Sequence, residues 1–279
     1  MIPEFHYRVR WRAAGAHPGR HASHRTGGGY EFAGHQPFAA FPDPRNIDSH
    51  ATLNDPFGQL MVKTFRQRSA IPVFVLADLS ASMGYADKVQ VLAEFTSAAA
   101  YSAYRSGDPF GLIVCGETIR WDVSLPLRWH KGGLPADTAA NLARIRPDAR
   151  SAAALEAAVP HLGRGRALVL LVSDFHLDDA FLESLFDALR PHDVVPVAVW
   201  SRAEYDALPD WGLIHLRDPE TGQRRRLFMR PALKRRFRDV FQARRERLRE
   251  LAVRHGAREP FLLEDRLDAD ALTRYFYET

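Results

Sequence analysis

One cysteine, Cys115, stands among 279 residues, and a lone thiol permits no internal disulfide. It falls in an apolar strand pattern, the place of a small core hydrophobe rather than a reactive nucleophile. Long hydrophobic runs are missing too, and nothing approaches the ~20 apolar residues of a membrane-spanning helix. A soluble chain is therefore expected. The opening residues, Met1-Ile2-Pro3-Glu4-Phe5-His6, lack the charged-then-apolar layout of a secretion signal. Together these absences point to the cytoplasm. A phosphate loop is also wanting: Gly27-Gly28-Gly29 has neither a following helix nor a Lys-Ser/Thr pair, so it reads as a flexible loop. His21 and His24 beside it are too irregularly spaced for a zinc site. No internal repeat is visible.

What is present is enough apolar material, 46% of the chain, to bury a sizeable core in one large domain with an accessory piece. Residues 1–70 differ in texture from the rest and read as a small β-rich lobe. Tyr7-Arg8-Val9-Arg10-Trp11-Arg12 alternates like a half-buried strand, and Leu60 to Phe65 forms another. Residues 71–279 alternate strand and helix. Val73 to Ala77 and Ala167 to Val172 are unbroken apolar runs of the kind buried mid-sheet, with Phe110 to Cys115 and Val194 to Trp200 beside them. Gly212 to Leu216 is read as a fifth strand. Thr118 to Val123 is expected to pair with the Phe110 strand as a hairpin. Helical spacing marks Val91 to Ser102, Ala136 to Ile145, Ser151 to Leu162, Phe181 to Leu189, Leu233 to Ala252 and Asp268 to Phe276. The order predicts an α/β fold, a doubly wound, mostly parallel sheet with helices on both faces.

Charge is unevenly spread. Residues 224–258 hold fourteen Lys/Arg against Asp239, Glu246 and Glu250, a net +11 in a chain whose total is +4. Nucleic acid or an acidic protein would suit such a segment. Phe237 and Phe241, however, fall on the apolar stripe with Leu233 and Leu248, which favours a solvated helix face over a stacking surface.

The chemistry concentrates where two buried strands end in carboxylates, Asp78 and Asp174. Ligands bind outside the carboxyl ends of the strands in an open parallel sheet. If the two strands are neighbours, Asp78 and Asp174 meet there with the hydroxyls of Ser80 and Ser82. Oxygen donors of this kind suit a hard cation such as Mg2+ or Mn2+. Neutral hydroxyls leave the ion under-neutralised, which favours an incoming carboxylate from another protein over turnover. Asp and Ser also favour helix starts and turns, so capping is the plainer role for the same residues.

Asp78-Leu79-Ser80-Ala81-Ser82-Met83 resembles the Asp-x-Ser-x-Ser metal-ion-dependent adhesion motif of von Willebrand factor type A domains, with the second aspartate in Leu171-Val172-Ser173-Asp174-Phe175. The wider chain resembles the bacterial domain-of-unknown-function 58 family, which includes MxaS-like proteins and usually accompanies MoxR-type AAA+ ATPases. The marks are Gly29-Tyr30-Glu31-Phe32, Arg45-Asn46-Ile47-Asp48, Val62-Lys63-Thr64-Phe65-Arg66, Ser173-Asp174-Phe175 and Asp218-Pro219-Glu220-Thr221-Gly222. The resemblance implies Mg2+ or Mn2+ at Asp78, Ser80 and Ser82, with Asp174 acting through water. It also implies an adaptor for a MoxR-type ATPase in chaperone-like maturation of an enzyme complex. Such motifs draw a further threonine from a second loop; here Ser151 and Thr138 are the candidates. The family's Arg-x-Ile-Asp is commonly followed by Trp, where this chain has Ser49.

Catalysis is not expected. A haloacid-dehalogenase-type phosphatase needs a second carboxylate two residues after its nucleophilic Asp, and Ser80 stands there. A serine hydrolase needs a Gly-x-Ser-x-Gly elbow, which does not surround Ser80. Two alternatives to the metal-dependent adaptor remain: a nucleic-acid-associated protein using residues 224–258, and a metal-dependent phosphohydrolase.

Overall fold

The computed structural model of the chain describes residues 2–15, 17–27, 31–147, 149, 151–217 and 224–278. Most of the glycine-triplet loop and the 218–222 turn lie outside the described residues. Two compact units form, one of Met1–Tyr7, Pro72–Arg105 and Pro109–Thr279, the other of Arg8–Ile71 with Ser106–Asp108. The division by texture near residue 70 places the first seven residues differently, for a physical reason. Phe5 is buried, and its ring stacks on Phe95 and Phe276 of the larger unit.

In the smaller unit, β1 (Pro18–Gly27), β2 (Glu31–Pro37) and β3 (Met61–Ser69) form an antiparallel sheet in the order β1-β3-β2. The short helix α1 (Ser49–Leu53) starts where the Asp48 carboxylate accepts the His50 and Ala51 amides. His21 is buried with its Nε2 2.7 Å from Asp108 Oδ2, and Asp108 Oδ1 accepts the Ile71 amide. Asp108 thus joins β1 to the start of the segment after β3. The strand expected over Tyr7–Arg12 is not there. Phe5, Tyr7 and Val9 are buried and His6, Arg8 and Arg10 exposed, so the alternation is real, yet the segment runs without a ladder. Phe5 and Tyr7 pack into an aromatic group with Phe276 instead of seeking strand partners.

The larger unit contains β4 (Val73–Asp78), α2 (Lys88–Ser106), β5 (Phe110–Cys115), β6 (Leu125–Arg128), α3 (Ala136–Arg144), α4 (Ala153–Ala158), β7 (Leu168–Ser173) and α5 (Asp179–Leu189). Then come β8 (Asp193–Trp200), β9 (Gly212–Arg217), β10 (Arg224–Met229), α6 (Pro231–Arg254), β11 (Phe261–Glu264) and α7 (Ala269–Glu278). Six of the strands make one sheet in the order β11-β8-β7-β4-β5-β6, parallel except at β6. The fold is thus mixed α/β with a mostly parallel central sheet and small antiparallel sheets apart from it.

Two expectations about strands need correction. Thr118–Val123 makes only a bridge, Cys115 to Ile119, because turns intervene; the antiparallel partner of β5 is β6. Gly212–Leu216 does not enter the central sheet. It forms β9, which pairs with β10 as a separate hairpin, and β11 takes the outer parallel position. The expected 151–162 helix is α4 followed by a 3-10 turn over Val159–Leu162, with Pro160 unable to donate the helical hydrogen bond.

Every residue of β4, β5, β7 and β8 is buried, as expected of strands covered on both faces. Phe74, Leu76, Val169, Leu171 and Trp200 share one core with Leu155, Leu182, Phe186, Leu248 and Leu251 of the following helices. At the opening of β8 the buried Asp193 carboxylate receives two hydrogen bonds from Arg258, at 2.8 and 2.7 Å.

Chain order sets the place of the site. From β4 the chain passes to β5 and β6 on one side; later it passes from β7 to β8 and β11 on the other. The direction of winding reverses between β4 and β7, and a crevice opens at such a switch point beyond the carboxyl ends of the strands. Ala77 pairs in register with Val172, so Asp78 is level with Ser173 and Asp174 lies one residue further.

Candidate functional site

Asp78, Ser80, Ser82 and Asp174 meet at this switch point. The Asp78 carboxylate accepts the Ser80 amide at 2.8 Å, the Ser80 hydroxyl at 3.0 Å and the Ser173 hydroxyl at 2.7 Å. Ser80 Oγ lies 3.2 Å from Ser82 Oγ, and the Ser82 side chain favours the charged form of the nearby Asp174 carboxyl. A row of oxygens thus runs from Asp78 at the end of β4 through Ser80 to Ser82, with Asp174 at the end of β7 nearby. The Ser80 loop is braced by a bridge to Ala149, whose carbonyl accepts the Ala81 amide at 2.9 Å.

Beyond β7 the backbone turns sharply. Phe175 adopts φ 53°, a left-handed conformation that costs an L-residue roughly 1–2 kcal/mol. Its side chain is fully buried, its amide donates to Ser173 Oγ at 2.9 Å, and the His176 amide donates to Asp174 Oδ1 at 3.2 Å. Arg244 of α6 holds the turn from outside. Its guanidinium donates to the Phe175 carbonyl at 3.1 and 2.6 Å, to the Leu177 carbonyl, and to Asp179 at 2.8 Å. Arg244→Met is expected to reduce unfolding free energy by about 2–3 kcal/mol, read by urea denaturation. Arg244→Lys should recover only part of that, since an ammonium cannot fork between carbonyls.

The two carboxylates are held in opposite electrostatic states. Burial, reinforced by the nearby Asp174 charge, pushes Asp78 up to about 6 against the hydrogen bonds from Ser173 and Ser80. Burial works on Asp174 in the same sense, but the positive charges of Lys88 and His176 and the Lys88 hydrogen bond outweigh it. Asp174 stays below the ordinary carboxylate range. Cys115, at the end of β5 beside Asp78, is pushed far up by burial and is no nucleophile.

Sequence reasoning missed three members of this group. Ser173 spans from the Asp78 carboxylate to the Phe175 amide. Lys88, the first residue of α2, is 2% exposed and donates to Asp174 Oδ2 at 3.0 Å and Glu204 Oε1 at 2.6 Å. Glu204, in the loop after β8, also accepts the Ser201 amide at 3.1 Å. For Lys88 a signal existed: a cation at a helix N-terminus opposes the helix dipole, so a lysine there needs a nearby anion. Ser151 stands apart. It is exposed, and its hydroxyl accepts the Ala153 amide at 3.2 Å at the start of α4.

The donors suit a hard cation. Ligands cis to each other around Mg2+ at 2.0–2.1 Å lie about 3 Å apart, close to the 3.2 Å between Ser80 Oγ and Ser82 Oγ. Among the described residues no three His, Cys, Asp or Glu side chains gather as a metal cluster. Any ion here relies on hydroxyls supplemented by Asp78 and Asp174.

Fold and site together define an α/β protein with a cluster of oxygen donors at the switch point of a mostly parallel sheet. The chain belongs to the family described as "Protein of unknown function DUF58", whose profile matches residues 43–250. A protein of Paracoccus denitrificans described as "Uncharacterized protein in moxR 3'region" is 40% identical over 97 residues, 34% of this chain and 90% of that protein. Among solved structures, the conserved hypothetical protein BatB from Bacteroides thetaiotaomicron matches with a TM-score of 0.45 and 14% identity, over 75% of this chain and 98% of that one. An aerotolerance-related membrane protein from Bacteroides fragilis matches with a TM-score of 0.42 and 16% identity, over the same shares. Among the described residues no helix is long and apolar enough to cross a membrane.

Proposed function

We propose that the chain is a non-enzymatic adaptor of the von Willebrand factor A type, working in the cytoplasm, that joins a protein partner through a divalent cation. Asp78, Ser80 and Ser82 would hold Mg2+ or Mn2+, with Asp174 acting through water and balancing charge. When bound, such an ion supplies positive charge that the protein only partly neutralises, and a partner's Asp or Glu completes its shell. The observation that carries the proposal is the hydrogen-bonded row Asp78–Ser80–Ser82 beside Asp174 at the switch point.

The chain's own residues do the positioning. Asp78 anchors both the amide and the hydroxyl of Ser80, fixing which way that oxygen points. Arg244 and Ser173 keep the β7 turn in its left-handed bend. A relative described by its place beside moxR supports a MoxR-type AAA+ ATPase as the partner, and maturation of an enzyme complex as the setting.

Two observations favour the adaptor over its alternatives. Among the described residues the Ser80 hydroxyl meets Asp78 and Ser82 and no imidazole that could activate it. Much of the basic segment is engaged within the chain: Lys234 with Asp210, Arg238 with Asp206, Arg244 and Arg247 with Asp179, Arg249 with Glu259, and Arg258 with Asp193. That leaves less cationic surface for phosphates.

Capture of a MoxR-type ATPase on the immobilised chain tests the proposal. Capture should need Mg2+ and disappear with chelator at fixed ionic strength, and Ser82→Ala should lose it. Binding that ignores chelator and Ser82→Ala but weakens steeply with salt would support the nucleic-acid or simple charge alternative.

A further inference from the structure

Lys88 is the feature the adaptor scheme does not absorb. Its ammonium is enclosed, with 1% of the side chain exposed, and reaches Asp174, Glu204 and, at 3.4 Å, the Ser82 carbonyl. Nothing about its position is favourable without those anions, since it opens α2 at the positive end of the helix dipole. Asp174 and Glu204 belong to different loops, after β7 and after β8, so one ammonium ties the two together. The Glu204 loop is in turn joined to the end of β11. The Ser201 hydroxyl donates to Asp265 Oδ1 at 2.8 Å, and Arg202 donates from its amide and its guanidinium to the same carboxylate.

We propose that Lys88 is the resident cation of this site, and that a divalent ion binds by taking Asp174 from it. This rests on the metal reading above and adds its regulation. A divalent ion at Ser80 and Ser82 and the Lys88 ammonium would both lean on the one buried Asp174 carboxylate, and at such short range in a poorly solvated site they repel each other strongly. Ion binding is therefore an exchange, in which Lys88 Nζ leaves Asp174 and the tie between the β7 and β8 loops opens. Occupancy of the crevice is reported to the Glu204–Ser201–Asp265 network, giving a partner a surface that differs between the two states.

Calorimetric titration of Mn2+ and Mg2+ into the full chain at constant ionic strength tests this. The chains compared are the parent, Lys88→Met, Lys88→Gln and Ser82→Ala. Both Lys88 variants should bind the ions more tightly than the parent, by roughly tenfold to a hundredfold, and Ser82→Ala more weakly. A purely structural lysine predicts the opposite sign, because a disturbed site binds less well. As a second readout, in chelator Lys88→Met should melt below the parent, and added Mn2+ should raise its melting temperature by more than it raises the parent's. Lys88 variants that bind no more tightly than a binding parent overturn the exchange and leave the metal site standing. Absence of binding in every chain, with no thermal shift from either ion, removes both. Binding by the Lys88 variants alone supports the exchange at its strongest.

Discussion

Asp78→Asn is expected to make the ion-free protein more stable at pH 7.5 while abolishing its affinity for divalent ions. The carboxyl titrates near 6 in the fold because it is buried beside Asp174, against about 4 in an unfolded chain. A group whose folded value is raised in this way binds its proton more tightly in the native state. The contribution of this one group to stability is thus greatest below about pH 4, falls as pH climbs from 4 to 6, and stays reduced above that. The difference between about 4 and about 6 corresponds to about 3 kcal/mol. Asn removes the charge but has one fewer good acceptor for the Ser80 amide, Ser80 hydroxyl and Ser173 hydroxyl. The net gain at pH 7.5 should be about 1–2 kcal/mol. Melting curves in chelator between pH 3.5 and 8 check this. The advantage of Asn should shrink as pH falls through 6 and vanish near 4. An Asp78→Asn chain that is less stable than the parent at pH 7.5 would show that the buried charge is not under strain.

Asp193→Ala should be the most damaging single change to the fold. Asp193 and Arg258 are both 6% exposed and meet through two parallel hydrogen bonds. Removing one partner leaves a buried, uncompensated charge, a loss of about 3–5 kcal/mol. The pair joins the start of β8 to the segment before β11, and the Arg258 amide also donates to the Val194 carbonyl at 2.8 Å. The outer parallel strand should therefore loosen first. Hydrogen exchange would show early loss of protection over β11, and denaturant titration would give the total. Replacing both residues, Asp193→Leu with Arg258→Met, should recover much of the loss, because the cost lies in the orphaned charge rather than in the missing pair.

How far the chain announced its own structure differs from element to element. The buried strands were legible because an apolar β-branched run ending on a carboxylate has few other readings, and the meeting of Asp78 with Asp174 followed once those strands were neighbours. Strand order is a long-range property and leaves no local mark. That is why β9 could be recognised as extended but not assigned to a hairpin outside the central sheet. β1 carries His21, a histidine that turned out to be buried, so its polarity concealed a strand. Phe5 and Tyr7 show the converse, an alternation produced by packing against rings instead of by a ladder. At the site, Ser80 and Ser82 declared themselves by spacing, whereas Lys88 and Glu204 are brought in from 116 residues apart by the fold. No spacing rule could have joined them.

The central claim is that Ser80 and Ser82 hold a divalent ion between Asp78 and Asp174. Anomalous scattering from crystals soaked in Mn2+ measures this most directly. The account predicts one strong peak within bonding distance of Ser80 Oγ and Ser82 Oγ, with Lys88 Nζ displaced from Asp174. A crevice without a peak at saturating Mn2+, with the Lys88–Asp174 contact intact, would contradict it.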